Sequence, residues 1–347
     1  MPDTAKYNSK EVLPAAFVAG KPLQADASFT LGGSFSGITG FSVNATSGSP
    51  YGNLYAATVS ANGSVSATFQ TVSTDNAVDL NDVTFKWGLL SFMTSSDGTV
   101  QYPQAIQTTT NRIYTLLVAP VAPSSVPWAK ELEVATSLAK GDATPAAAMD
   151  DLTTGIYRSN WKQFANSTHF VKPTATNVYD PGTGDMAFAT NGGSLGNEGV
   201  AANQTYDLTR FLSAVNGAHF VQECYDNADL LAIFADSLGI NGAVPKWIAA
   251  TATGVPVLKQ TAFYFPAGQT QKAHSLFHFH QVVIFNGNVY DPSTEPTCGD
   301  ATNIQCDPLW NVSPLTTYMD NVFPGQGNSY VTTDVSVSIG PKAPPPH

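Results

Sequence analysis

The spacing of apolar residues changes once along this chain, near residue 122, and that change limits the possible folds more than any other feature. From about Ala25 to Pro120 the short runs SVSATFQTV, DVTFKWGLLSF and RIYTLLVAP are rich in β-branched and aromatic residues. Turn clusters at Ser47-Gly48-Ser49-Pro50, Asn62-Gly63 and Asp97-Gly98 separate them. This segment reads as an all-β sandwich. Beyond the linker-like VAPVAPSSVP the period becomes helical. Ser125 is placed to cap a helix opened by Pro127 and running through WAKELEVATSLAK, with Gly141 in the C′ position. Thr144 and Pro145 repeat that start, and Met149, Leu152, Ile156 and Tyr157 follow at helical spacing. No self-similar unit recurs, which disfavours a solenoid or propeller. The expected organisation is an extension over 1–24, a β-sandwich over 25–121, an α+β core over 122–325, and a final strand with a Pro-rich tail over 326–347.

Composition bounds the function. The 347 residues are 43% hydrophobic, enough core for an enzyme. Only 12% are charged, about half the usual share, so Ser, Thr, Asn and Gly supply the polar surface. The net charge is −11 with 15 Lys+Arg and no basic cluster, which removes the electrostatic basis for binding nucleic acid. No apolar run reaches the roughly 18–20 residues that span a bilayer, and the start lacks the basic and apolar regions of a signal peptide. The low-charge, Ser/Thr/Asn-rich composition nevertheless points to a secreted or extracytoplasmic protein. Cys298 and Cys306 bracket the polar loop CGDATNIQC and are spaced for a local disulfide, leaving Cys224 as the odd thiol.

Cys224 opens the strongest helical pattern in the chain, CYDNADLLAIFADSLG. Ala228, Leu231, Ala232, Ala235 and Leu238 share a face, and Gly239 supplies the stop. A thiol at a helix N-terminus lies beside unpaired backbone N–H groups that favour a thiolate and can stabilise an oxyanion. Glu223 and Asp226 oppose this, so an imidazole is needed. HSLFHFHQVVIFNGNVYDPS contains one. Two β-prone runs, Gln281 to Phe285 and Asn288 to Asp291, flank Asn286-Gly287, the preferred pair for a type I′ hairpin. That turn sets Phe285 opposite Asn288 and Val282 opposite Asp291. His280 then shares a face with Asp291 as its diagonal neighbour, within reach of a hydrogen bond.

ECYDNADLLAIFADSLGI resembles the Cys-X-Asp-X-Ala helix of the transglutaminase-like superfamily, and HQVVIFNGNVYDPS resembles its His-bearing strand followed by a strand ending in Asp-Pro-Ser/Thr. The resemblance covers about residues 205–295. Gln222-Glu223 stands where the superfamily usually has a glycine, and Tyr225 where animal transglutaminases carry a Trp. The resemblance implies a papain-like triad of Cys224 as nucleophile, His280 as base and Asp291 as orienting acid, with the helix packed on an antiparallel sheet. The expected function is therefore cysteine-dependent acyl transfer on peptide or side-chain amides. Hydrolysis is the first reading, transamidation the second, and a non-catalytic adhesin or binding module on the same fold the alternative of another class.

Competing assignments remain at this level. Cys224 can equally pack as a small apolar residue, and His280 as a core histidine. His274 and His278 share the parity of His280, so His278 is an alternative base. A zinc site from His274, His278, His280 and a downstream Cys lacks any Cys-X-X-Cys or His-Glu-X-X-His spacing, and no cofactor or metal is expected. Asp75, Asp79 and Asp82 lack the EF-hand pattern and read as a solvated loop. The Gly/Asn-rich stretch 174–204 reads as a long surface loop of the kind that serves as a lid or substrate-binding segment.

Overall fold

The computed structural model describes residues 13–22, 24–30, 38–46, 53–55, 64–70, 75–95, 98–158, 178–179, 189–191, 203–214, 221–222, 224–250, 262–263, 279–295, 309–312, 315–322 and 330–340. The fold mixes helices and sheets. Chain packing separates two compact units, Met1–Ala119 and Pro120–His347. Cys298, Cys306, His274 and His278 lie outside the described residues.

The first unit is β throughout its described residues. Its strands are β1 (Leu13–Val18), β2 (Gln24–Thr30), β3 (Ile38–Thr46), β4 (Asn53–Tyr55), β5 (Ser64–Gln70), β6 (Asp79–Ser95) and β7 (Gly98–Leu116). Hydrogen bonding links them in one sheet of order β1-β7-β6-β3-β4-β5-β2. Along β6, Val83, Phe85 and Trp87 are buried while Asp82, Thr84 and Lys86 are exposed, the period of two that puts one face of a strand in a core. The expectation of a solvated acidic loop fails here. Asp79 and Asp82 are strand residues, and Asp82 sits opposite Arg112, whose guanidinium donates Nε–H and Nη2–H to its two oxygens at 2.8 and 3.0 Å. A bidentate cross-strand partner on β7 is a long-range feature that local composition does not encode.

The second unit opens with α1 (Ala129–Leu138) and α2 (Pro145–Arg158). The first helix starts later than its cap signals suggest. Trp128 is the N-cap, and its backbone N–H donates to the Glu131 carboxylate at 3.1 Å, so Ser125 and Pro127 precede the helix. Glu131 reaching back outweighs the upstream Ser-Pro signal because it satisfies a backbone donor at the helix start. Thr144 does cap α2, accepting from Ala147 N–H at 3.3 Å, with Pro145 at the first helical position.

The chain continues through β8 (Val178–Tyr179), β9 (Ala189–Asn191), β10 (Asn203–Tyr206), α3 (Leu208–Ala214), β11 (Val221–Gln222), α4 (Cys224–Ser237), β12 (Val244–Ala250) and β13 (Ala262–Phe263). It ends with β14 (Phe279–Phe285), β15 (Asn288–Asp291), β16 (Thr294–Glu295), β17 (Leu309–Val312), α5 (Leu315–Val322), β18 (Tyr330–Asp334) and β19 (Ser336–Ile339). The region read as one long loop therefore carries short paired strands: β8 with β11, and β9 with β10. A five-stranded antiparallel sheet of order β17-β15-β14-β12-β18 holds β14 at its centre, and α4 packs on β14. The C-terminal segment supplies two strands, β18 to this sheet and β19 to a sheet with β10 and β9. Among the described residues no helix is long and apolar enough to cross a membrane.

Every residue of α4 is buried, from Cys224 to Ser237. Leu230, Leu231, Ile233 and Phe234 are fully enclosed, each stabilising the fold by about 1.5–3 kcal/mol through removal from water. Contacts with α1, α2, β12 and β14 enclose the helix, so it forms the axis of the second unit.

Candidate active site

The helix that bears Cys224 begins and ends as its sequence requires. Cys224 is its first residue. At the other end Gly239 adopts φ 81°, while Ile240 N–H donates to Ala235 C=O at 2.9 Å and Gly239 N–H to Asp236 C=O at 3.0 Å. This pair of bonds is the Schellman closure, which needs a left-handed residue and so favours glycine. Cys224 is a thiol outside any disulfide and only 2% exposed.

The hairpin of β14 and β15 turns on Asn286 (φ 50°) and Gly287 (φ 79°), both left-handed as a type I′ turn requires. Phe285 pairs with Asn288, Ile284 with Val289 and Val283 with Tyr290. One further step sets Asp291 opposite Val282, with His280 its diagonal neighbour. An irregularity does occur beside Asp291, but it lies in the pairing of β15 with β17, where the extra residue belongs to β17. The β14–β15 register is therefore unshifted, and His280 Nε2 meets Asp291 Oδ2 at 2.9 Å with both side chains fully buried.

Asp291 accepts from more groups than His280. Oδ2 also accepts from the Tyr318 hydroxyl at 2.7 Å, and Oδ1 accepts from the Ser293 backbone N–H at 2.9 Å. The second bond closes an Asx-type turn over Pro292. Ser293 Oγ in turn accepts from Asn227 Nδ2 at 3.2 Å, tying the Asp291 turn to α4 three residues after Cys224. The other imidazole nitrogen, His280 Nδ1, is buried and has no hydrogen-bond partner among the described residues. No thiol–imidazole hydrogen bond is therefore formed in this structure. Such bonds are commonly long before substrate binds.

The next residue of β14 is anchored differently. Gln281 Nε2 donates to Asp229 Oδ1 at 2.7 Å, and Gln281 and Gln204 exchange amide hydrogen bonds at 3.0 and 3.1 Å. Burial first, and Asp226 second, push the Asp229 carboxyl well above its usual range, against the opposing effect of the Gln281 bond. Turning the Gln204 amide over would set its nitrogen 2.9 and 2.8 Å from the Asp229 oxygens, but would break the reciprocal pair with Gln281. A neutral Asp229 carboxyl donating to Gln204 Oε1 satisfies all three side chains without that loss. Tyr206, fully buried nearby, has its hydroxyl pushed upward by burial and by Asp226 and Asp229.

Of the residues singled out in the sequence, His280 and Asp291 are hydrogen-bonded, and Cys224 heads the helix that packs on their sheet. No sequence motif assigns a site role to Tyr318, Asn227, Ser293, Gln281, Gln204 or Asp229. Asp229 and Asn227 carry one available signal, since both are polar residues just ahead of the apolar run Leu230 to Ala235. Tyr318 lies 27 residues beyond Asp291 and carries none.

Neither family models nor curated protein sequences match the chain. Among solved structures, red sea bream transglutaminase is similar at a TM-score of 0.32 and 12% identity, over 82% of this chain and 49% of that one. The chain thus spans about half the length of that protein.

Proposed function

We propose that this protein is a cysteine-dependent acyltransferase acting on peptide or side-chain amides, with hydrolysis as its outcome. The observation that carries the reading is the state of His280: Nε2 is held by a buried carboxylate while Nδ1 is buried with no hydrogen-bond partner among the described residues. A buried polar atom without a partner costs about 1–3 kcal/mol, and such atoms are kept where chemistry uses them.

In this mechanism Nδ1 takes the proton of Cys224 Sγ, and the thiolate attacks the amide carbonyl carbon. The backbone N–H groups that open α4 stabilise the oxyanion. Nδ1–H then protonates the departing amine or ammonia as the C–N bond breaks, leaving a thioester on Sγ. Water attacks the thioester, Nδ1 takes its proton, and the carboxylic acid departs with the thiol restored. A primary amine in place of water gives transamidation by the same steps. Asp291 holds the imidazole with Nε2 protonated and stabilises the imidazolium without itself reacting. In this reading the first unit is a β-sandwich accessory to the core, and the protein works outside the cytoplasm.

A second reading rests on the 2% exposure of Cys224, which suits a structural thiol in a non-catalytic binding module. Ammonia release from glutamine- and asparagine-containing peptides, run beside incorporation of a fluorescent primary amine, separates the readings. Release that disappears in Cys224→Ala supports hydrolysis, and amine incorporation supports transamidation. Neither signal, with Cys224→Ala indistinguishable from wild type, supports the binding module.

A further inference from the structure

We infer that Tyr318 is a positioning residue for the proposed base, fixing the tautomer and basicity of His280 through Asp291; this rests on the acyl-transfer reading and deepens it. The Tyr318 side chain is fully buried, and its hydroxyl donates to Oδ2, the same oxygen that meets His280 Nε2. The remaining oxygen is taken by Ser293 N–H. Asp291 thus accepts from the Tyr318 hydroxyl and the Ser293 N–H as an acceptor-only carboxylate does, which puts the proton of the His280 contact on Nε2. That assignment leaves the lone pair on Nδ1.

Two donors on one oxygen also divide its hydrogen-bonding capacity. The Tyr318 O–H withdraws negative charge that Oδ2 would otherwise direct at the imidazolium, so Tyr318 both holds the carboxylate in place and moderates its pull on His280. The connection depends on tertiary structure. Tyr318 is on α5, which packs on β15 and β17, so α5 holds the acid while the Asn227–Ser293 bond ties its turn to α4. The other titratable groups on the elements packed against β14 are Cys224, Tyr225, Asp226, Asp229 and Asp236 on α4, Tyr290 on β15 and Lys246 on β12. Tyr318 reaches Asp291 Oδ2 directly, its hydroxyl donating at 2.7 Å.

The test reads His280 directly, by long-range ¹H–¹⁵N correlation spectra of the full chain labelled at histidine. In wild type His280 is expected as the Nε2–H tautomer. Tyr318→Phe removes one donor and is expected to move the His280 titration midpoint upward by about 0.5 pH unit. In an Asp291→Asn background the same change should have no effect, because Tyr318 acts only through that carboxylate. Should Tyr318→Phe fold poorly, 3-fluorotyrosine at position 318 keeps the volume and donates more strongly, and the midpoint should then move downward. An unchanged midpoint in both variants overturns the inference, as does an equal shift in the Asp291→Asn background. Peptide turnover with no Tyr318 effect refutes this role alone. A Tyr318 effect without turnover refutes the acyltransferase and leaves the positioning of His280 standing.

Discussion

Two neighbouring residues of β14 are each anchored to a buried aspartate, and the two aspartates are treated in opposite ways. At His280 the partner is Asp291, which receives an imidazole, a phenol and a backbone N–H. At Gln281 the partner is Asp229, which accepts from the Gln281 amide and whose carboxyl is pushed upward by burial and by Asp226. Burial is the same, since both are 0% exposed. The number and charge of donors differ. A buried carboxyl with enough donors can stay an anion and orient an adjacent imidazole, whereas one with fewer donors is pushed toward its neutral form. One strand thus presents an imidazole–carboxylate pair at His280 and an amide–acid cluster at Gln281.

Substitutions that exchange these roles give the largest expected effects. Cys224→Ala should abolish turnover while the melting temperature stays near that of wild type, measured by ammonia release and calorimetry. Asp291→Asn should leave a folded protein with turnover reduced by roughly 10³–10⁴-fold, since the amide no longer holds the required tautomer. Core damage should look different: Leu231→Ala, in the middle of α4, should destabilise the protein by about 2–5 kcal/mol in denaturant titrations.

The neutral cluster predicts an unusual pH dependence. Asp229 is raised well above its usual value, Asp236 to about 8 and Asp142 to about 6, burial being the first cause for each. Groups raised in this way keep their protons to higher pH in the fold than in the unfolded chain, which ionises from about pH 4, so over that interval the unfolded state binds fewer protons. Their effect is to lower stability as pH rises from about 4, up to about 6 for Asp142, about 8 for Asp236, and further for Asp229. Melting temperature scanned from pH 4 to 8 should fall, and Asp236→Asn should flatten that fall. The smallest effect is expected for Asp229→Asn, whose amide donates and accepts as the neutral acid does. A change within about ±0.5 kcal/mol at pH 7 fits that state, while a loss of several times that amount would show that Asp229 is an anion.

The same contrast explains what was legible in the sequence. The helix from Cys224 and its stop at Gly239 follow from apolar spacing and one left-handed glycine, both local. The register of His280 and Asp291 follows from Asn286-Gly287, because a two-residue turn fixes every pair in the hairpin. The start of α1 differs from its Ser125-Pro127 signal because two cap signals lie within a few residues, and the choice depends on Glu131 reaching the Trp128 N–H. Strand β12, which puts Ile248 beside His280, carries too little alternation to stand out. Tyr318, Gln204 and Gln281 acquire their roles only when distant elements meet, which no local pattern records.

The central claim is that His280 Nδ1 serves Cys224 as its base, and alkylation of that thiol tests it most directly. Iodoacetamide labelling, resolved to Cys224 by peptide mass spectrometry, should be followed from pH 5 to 9 in wild type and in His280→Ala. The expected result is labelling of native wild type that persists below pH 7, where a model thiol of pKa about 8.5 is largely inert, and that falls by about 100-fold in His280→Ala. Equal labelling rates in the two proteins, or labelling only as fast as the chain unfolds, would contradict it.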